Sequence, residues 1–298
     1  MNVPQQVINA LSLGAVYSLF ALGYALVFSV LGLLNLAHSA VFMWGAYLGW
    51  LSVVVFHLPL ALALAVAIVG AGLLGIVLDR VAFFPLRRRN APRISQLISS
   101  IGAAAVLVSL AQLSFGADPQ NLPLEIVPNR AIAAVATSLA LRVTPVQIIT
   151  FVLALAMMGA LALLIQRSKL GQAMRTIAFD QRIAALLGVP VDRVYMLTFF
   201  MAGASAGLAG MLYALSYNSI TPFIGDSISL KGLTVIVLGG MGNIAGAVLG
   251  GFIIAGLEVF SIAVGGSNYR DALTFFLLFL ILVVRPQGLL GSEAATRA

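Results

Sequence analysis

No Asp, Glu, Lys or Arg occurs before Asp79. A soluble domain cannot run that far without a charge, since about a quarter of ordinary globular residues are charged and line a water-facing surface. Over all 298 residues only 8% are charged while 61% are hydrophobic, so a polar shell around a core is excluded. The chain reads as an all-α, polytopic membrane protein forming one transmembrane domain over residues 1–298.

A membrane-crossing helix needs about 20 apolar residues. Stretches of roughly that kind cover residues 10–34, 39–56, 58–78, 94–115, 146–165, 194–217, 231–258 and 272–284. About eight membrane helices are therefore expected. The opening Met1-Asn2-Val3-Pro4 has no basic residue ahead of its apolar run, and the run is too long for a cleaved leader, so the first span is expected to be retained.

The basic residues orient the spans. Residues 79–93 carry Arg80, Arg87, Arg88, Arg89 and Arg93, and residues 167–193 carry Arg167, Lys169, Arg175, Arg182 and Arg193, ten of the 16 Lys and Arg in all. Both segments are expected to be cytoplasmic loops. Residues 116–145, with balanced charges and scattered prolines, are expected outside as a short extended hairpin. The same reasoning makes the net charge of +7 a mark of membrane orientation, with lipid rather than nucleic acid as partner.

Parity exposes a difficulty in the last third. A path from Arg193 to Arg285, both expected inside, needs an even number of crossings, but three apolar blocks lie between them. Gly239-Gly240-Met241-Gly242 is expected to break one block into a half-helix and a following helix, as membranes tolerate beside protein or a cavity. Asn35-Leu36-Ala37-His38 marks a similar break in the first half, so each half is expected to hold one broken or re-entrant element. Gly203, Gly207, Gly242, Gly246 and Gly250 put small residues on helix faces, which permits close packing in lipid.

Several chemistries are disfavoured. Gly240-x-Gly242-x-x-Ala245 looks like a dinucleotide turn, but it leads into another apolar stretch rather than a helix with a polar face. There is no Gly-Lys-Ser/Thr phosphate loop, no cysteine, and only His38 and His57 as histidines. No nucleophile–base spacing suggests hydrolysis, and the chain reads as no enzyme, without a cofactor or metal of its own.

Polar residues inside a membrane are costly, so those present are candidates for a passage or its support. Glu258 is the acid set deep in apolar sequence, Asn35 and His38 stand at the suspected break, and Tyr17 and Tyr24 precede them at helical spacing. These groups can line a passage for a small solute, or they can cap a broken helix. One glutamate is thin provision for an ion-driven carrier.

Within residues 167–193, Asp180 can cap a short helix, while Gly188 and Pro190 stop it. Residues 181–187 then place Ile183, Leu186 and Leu187 on one face. Such a helix lies on the membrane surface or fits a groove on a cytoplasmic partner.

These pieces together resemble the LivH-type permeases of branched-chain amino-acid ABC importers over nearly the full length. The matching residues run from Gly14-Ala15-Val16-Tyr17-Ser18-Leu19 to Asn35-Leu36-Ala37-His38, then Gly171-Gln172-Ala173-Met174-Arg175 and Ala184-Ala185-Leu186-Leu187-Gly188-Val189. They continue with Pro222-Phe223-Ile224-Gly225, Lys231-Gly232, Gly239-Gly240-Met241-Gly242-Asn243 and Arg285-Pro286-Gln287-Gly288. The resemblance implies a bacterial inner-membrane permease working with a second, LivM-like permease, two ATP-binding subunits that carry ATP and Mg, and a periplasmic solute-binding protein. It also implies that Arg175, Asp180, Ile183, Leu187 and Gly188 couple the permease to the ATPases, and that Tyr24, Asn35, His38 and Glu258 belong to the substrate pathway or its support. Two positions depart from the family pattern: Ser39 stands where the family usually has Gly, and Phe179 where it often has Glu. A self-sufficient channel or secondary carrier for a small polar solute such as urea, selective at residues 239–242, is the alternative.

Overall fold

In the computed structural model, which describes residues 3–123 and 142–291, the first apolar block forms α1 (Val3–Leu31) and the chain re-enters at α2 (His38–Val54). Next come α3 (Leu60–Leu78), a π-helical turn (Asp79–Phe83), α4 (Phe84–Arg88) and α5 (Arg93–Phe115). The second half holds α6 (Pro145–Arg167), α7 (Lys169–Phe179), α8 (Gln181–Leu186), α9 (Val191–Tyr217), α10 (Ile224–Gly239), α11 (Ile244–Ala263) and α12 (Arg270–Val284). Among the described residues no β-strand is formed, only an isolated antiparallel bridge between Gln120 and Ile220. The hairpin expected in 116–145 falls mostly on residues 124–141, outside the described residues.

Six helices among the described residues are long and apolar enough to cross a membrane. Three shorter ones, α2, α10 and α12, have 17, 16 and 15 residues. The count exceeds the eight apolar stretches because the 231–258 stretch is two helices. Gly240 (φ +104°) and Gly242 (φ +86°) turn the chain between α10 and α11 through backbone angles that side chains disfavour, and Asn243 caps α11 on the Gly246 amide at 3.0 Å. Four helices, α9, α10, α11 and α12, therefore connect Arg193 to Arg285, the even number that parity requires. The other expected break also holds, between Leu31 and His38.

The expected loop at residue 79 is instead helix. α3 runs through the π turn into α4 as one apolar rod, Leu60–Arg88. Pro85 has no N–H to give to the carbonyl four residues back, and the wide turn just before it absorbs that mismatch.

Side chains sort the helix ends into two groups. At one end Gln5 meets the Arg142 carbonyl, Trp50 donates to the Asn121 carbonyl, and Asn218 accepts from the Leu122 amide. At the other, Arg80 reaches Met196 and Arg87 packs on Tyr195, which brings the two arginine-rich segments to the same face of the protein. The charge asymmetry read along the chain is thus an asymmetry in space.

α1 and α9 form the centre, each with 83% of its apolar window buried, against 17% for α5 and 28% for α6. Exposed apolar side chains such as Leu113, Val106, Phe276 and Phe279 cover α5 and α12, as expected of surfaces that meet lipid or other helices. Small residues make the central crossings possible. A Cβ at Gly203 or Gly207 would strike the Ala71 or Ala67 carbonyl of α3, and one at Gly250 would meet the Val235 carbonyl of α10.

Candidate functional site

Three sets of side chains stand out, and they lie at three heights along the bundle. The first occupies the break before α2. Asn35 closes a local turn, its side-chain oxygen accepting from the Ala37 amide at 3.1 Å and its carbonyl from the His38 amide at 3.1 Å. The His38 ring enters the core, where Nε2 lies 3.2 Å from the Phe20 carbonyl. A carbonyl can only accept, so Nε2 carries the proton. Phe20 and Tyr24 pack on the imidazole at centroid distances of 4.8 and 5.4 Å. Of the four expected pathway residues, Tyr24 and His38 thus pack together and Asn35 shapes the turn that carries His38, while among the described residues the buried Tyr24 hydroxyl has no partner. Ser39 is accommodated locally: its hydroxyl donates to the Leu36 carbonyl at 3.2 Å, and its own carbonyl lies against Gly225 at the start of α10.

The second set surrounds Glu258, which is wholly buried. Lys231 Nζ lies 2.7 Å from one carboxylate oxygen, and the Tyr17 hydroxyl donates to the other at 3.0 Å. Lys231 also donates to the Tyr17 oxygen at 3.2 Å, closing a three-membered ring of contacts. Asp271 stands 3.6 Å from Lys231, and Arg270 stands 3.4 Å from Asp271 and 4.0 Å from Glu258. Helix register explains the main pair. Gly239 faces Gly246 and Val235 faces Gly250, so the same antiparallel spacing sets Lys231 opposite residue 254, one turn from Glu258. The lysine stem spans that turn.

Glu258 and His38 do not meet. They border the same face of α1, where Tyr17, Phe20 and Tyr24 follow one another at helical spacing over roughly 10 Å. Lys231 and Tyr17 went unrecognised as Glu258's partners in the sequence, although Lys231 is a lone cation in the same apolar stretch as that lone acid. Asp79 was also missed. Buried inside the π turn, it pairs with Arg87 at 2.6 Å.

The third set is at the arginine-rich end. Asp180 Oδ1 accepts from the Arg182 and Ile183 amides at 2.6 and 2.9 Å, the expected cap of α8. The helix spans six residues and Leu187 is its C-cap rather than its last turn, while Gly188 (φ +81°) ends it as expected. Ala184 seats α8 on the protein, whereas Leu186 and Leu187 are 87% and 71% exposed and Ile183 is exposed too. Phe179, at the position where the family often has Glu, is likewise 87% exposed and enlarges this apolar surface. Arg175 donates to the Ile165 carbonyl and so ties α7 to the end of α6. Residues 169–179, expected as part of a cytoplasmic loop, form this amphipathic helix.

The sequence over residues 6–282 matches the family described as "Branched-chain amino acid transport system / permease component". The chain belongs to this permease family. It is 35% identical to the high-affinity branched-chain amino-acid transport permease BraD of Pseudomonas aeruginosa, over 96% of this chain and 95% of that one. The permease is also 35% identical to LivH of Escherichia coli K12 with the same coverage, and 26% identical to a probable LivH of Methanocaldococcus jannaschii over 92% of this chain and 88% of that one. No solved structure matches it. The permease is thus a membrane transport subunit and not an enzyme.

Proposed function

We propose that this chain is one permease subunit of an ATP-binding cassette importer that carries branched-chain amino acids inward across a bacterial inner membrane. A second, LivM-like permease completes the passage, a periplasmic solute-binding protein delivers the solute, and two ATP-binding subunits dock on the arginine-rich, cytoplasmic end. Those subunits hold ATP and Mg. Tyr24, Asn35 and His38 support the passage at the break before α2.

The single observation that carries this reading is α8. A six-residue helix capped at both ends, together with Phe179 before it and Leu187 after it, displays an apolar surface of Phe179, Leu186 and Leu187 to water at the one end of the molecule where cations gather. Exposed apolar groups on a rigid, short helix fit a groove on a partner better than they fit solvent. When ATP closes the partner subunits, force on α8 passes to α7 and α9 and rocks the bundle between its two openings.

Leu187→Asp tests this directly. The variant is expected to insert normally, to lose its ATP-binding subunits on purification and to abolish uptake, because a charge cannot be desolvated in an apolar groove. Normal co-purification with normal uptake would refute the docking role. Uptake that persists without any ATP-binding subunit would favour a self-sufficient carrier instead.

A further inference from the structure

At the end opposite the arginines, α1, α6, α9 and α11 enclose a cleft of about 340 Å³. Asn9, Ser12, Gln147 and Ser216 supply hydrogen-bonding walls, and Val16 and Val259 supply apolar ones. Among the described residues the lining carries no charge. The charged cluster lies behind this lining: Val16 and Val259 are the chain neighbours of Tyr17 and Glu258, and the Tyr17 hydroxyl contacts both Glu258 and Lys231. Tyr217, also on the cleft, stacks on Tyr213 at 4.3 Å.

The cluster beside the cleft is graded. Side-chain exposure is 61% at Asp271, 37% at Arg270, 8% at Lys231 and 0% at Glu258. Two cations and two anions make it neutral overall. A pair kept only for stability has little reason to take this form, because a buried ion pair is seldom better than an apolar pair of the same size. A graded ladder of both signs beside an amphipathic cleft suits a solute that carries both charges and an apolar side chain.

We infer that the cleft and the Lys231–Glu258 cluster form a recognition site for a zwitterionic α-amino acid. The solute's ammonium meets Asp271 and then Glu258, and its carboxylate meets Arg270 and then Lys231. The buried pair opens and exchanges each partner for the solute's opposite charge, so no charge is left alone in low dielectric. The aliphatic side chain rests against Val16 and Val259. A sugar or urea carries no charges to exchange and gains nothing from this ladder. The inference rests on the importer reading above and adds the chemical basis of its selectivity.

The test uses the complete complex with its partner permease, ATP-binding subunits and binding protein, with leucine as the solute. Glu258→Gln alone leaves the buried Lys231 with only the more distant, exposed Asp271 as counter-charge and is expected to lower the yield of assembled complex. Lys231→Met with Glu258→Gln strands nothing, so the double variant is expected to assemble like the wild type and retain basal ATP hydrolysis while leucine uptake falls tenfold or more. Wild-type uptake by the double variant would make the pair structural and overturn the inference. Arg270→Gln with Asp271→Asn, on the exposed rim, gives a second test that does not disturb the core. It is expected to cut uptake at saturating binding protein at least threefold, and an unchanged rate would equally overturn the site. A wild-type complex that carries no amino acid at all would instead refute the importer reading.

Discussion

The Tyr195 hydroxyl donates to the Gln181 side-chain oxygen at 3.2 Å, which ties the first residue of α8 to the first turns of α9. The same ring lies 4.5 Å beneath the Arg87 guanidinium, whose partner is the buried Asp79. A short helix on the surface is thereby connected, through one tyrosine, to an ion pair set inside a π turn.

Tyr195→Phe separates the two contacts, because the phenylalanine ring stays under Arg87 but loses the bond to Gln181. The complex is expected to assemble and hydrolyse ATP, with less solute moved per ATP. Tyr195→Ala should impair assembly as well, since it also removes the cation–π contact. A wild-type transport-to-hydrolysis ratio in Tyr195→Phe would show that the hydroxyl transmits no motion.

Asp79→Asn is expected to be among the more damaging single changes in the chain. It leaves the Arg87 cation buried without its counter-charge, at a cost of about 3–5 kcal/mol. Asp79→Leu combined with Arg87→Met removes both charges and should recover most of the thermal stability measured on purified protein. Equal stability of Asp79→Asn and the wild type would mean that water reaches Arg87.

The spatial sorting of charge yields an accessibility test, since the chain contains no native cysteine. Asn121→Cys, at the end opposite the arginines, is expected to react with an impermeant thiol reagent in intact cells. Arg89→Cys is expected to react only after the cells are opened. The reverse pattern would invert the protein in its membrane.

Two helical glycines should behave in opposite ways. A Cβ at Gly207 meets the Ala67 carbonyl, so Gly207→Val should push α9 off α3 and abolish stable expression. Gly159 in α6 has nothing within 4 Å of the same added atom. Gly159→Ala should therefore be tolerated, with helix propensity favouring it by up to about 1 kcal/mol. Matching thermal melts for the two variants would contradict the packing at the centre of the bundle.

Residue type and spacing were enough to expose much of this molecule. Absent charges marked the spans, clustered arginines marked one end, and glycines at 239–242 marked the turn between α10 and α11. Asp180 and Gly188 bounded α8 because caps act within three or four residues of where they stand. The helical continuation through Asp79 was not visible in the same way. Five arginines in fifteen residues look like a loop until the Asp79–Arg87 pair shows how one of them is held.

Alone, the sequence determined that this chain is a membrane-embedded helical protein with two broken segments and one charged end. Those properties depend on local composition: apolar length, helix breakers and nearby caps. Which polar residues act together was decided only by the tertiary structure. Tyr17, Lys231 and Glu258 lie 214 and 241 residues apart from first to second and first to third, and they meet because glycines allow α10, α11 and α1 to approach closely. His38 and Glu258, though both were marked as pathway residues, were kept in separate clusters along α1. Pairing across helices depends on register and on the depth of each crossing, and neither is written in the spacing of residues along one helix.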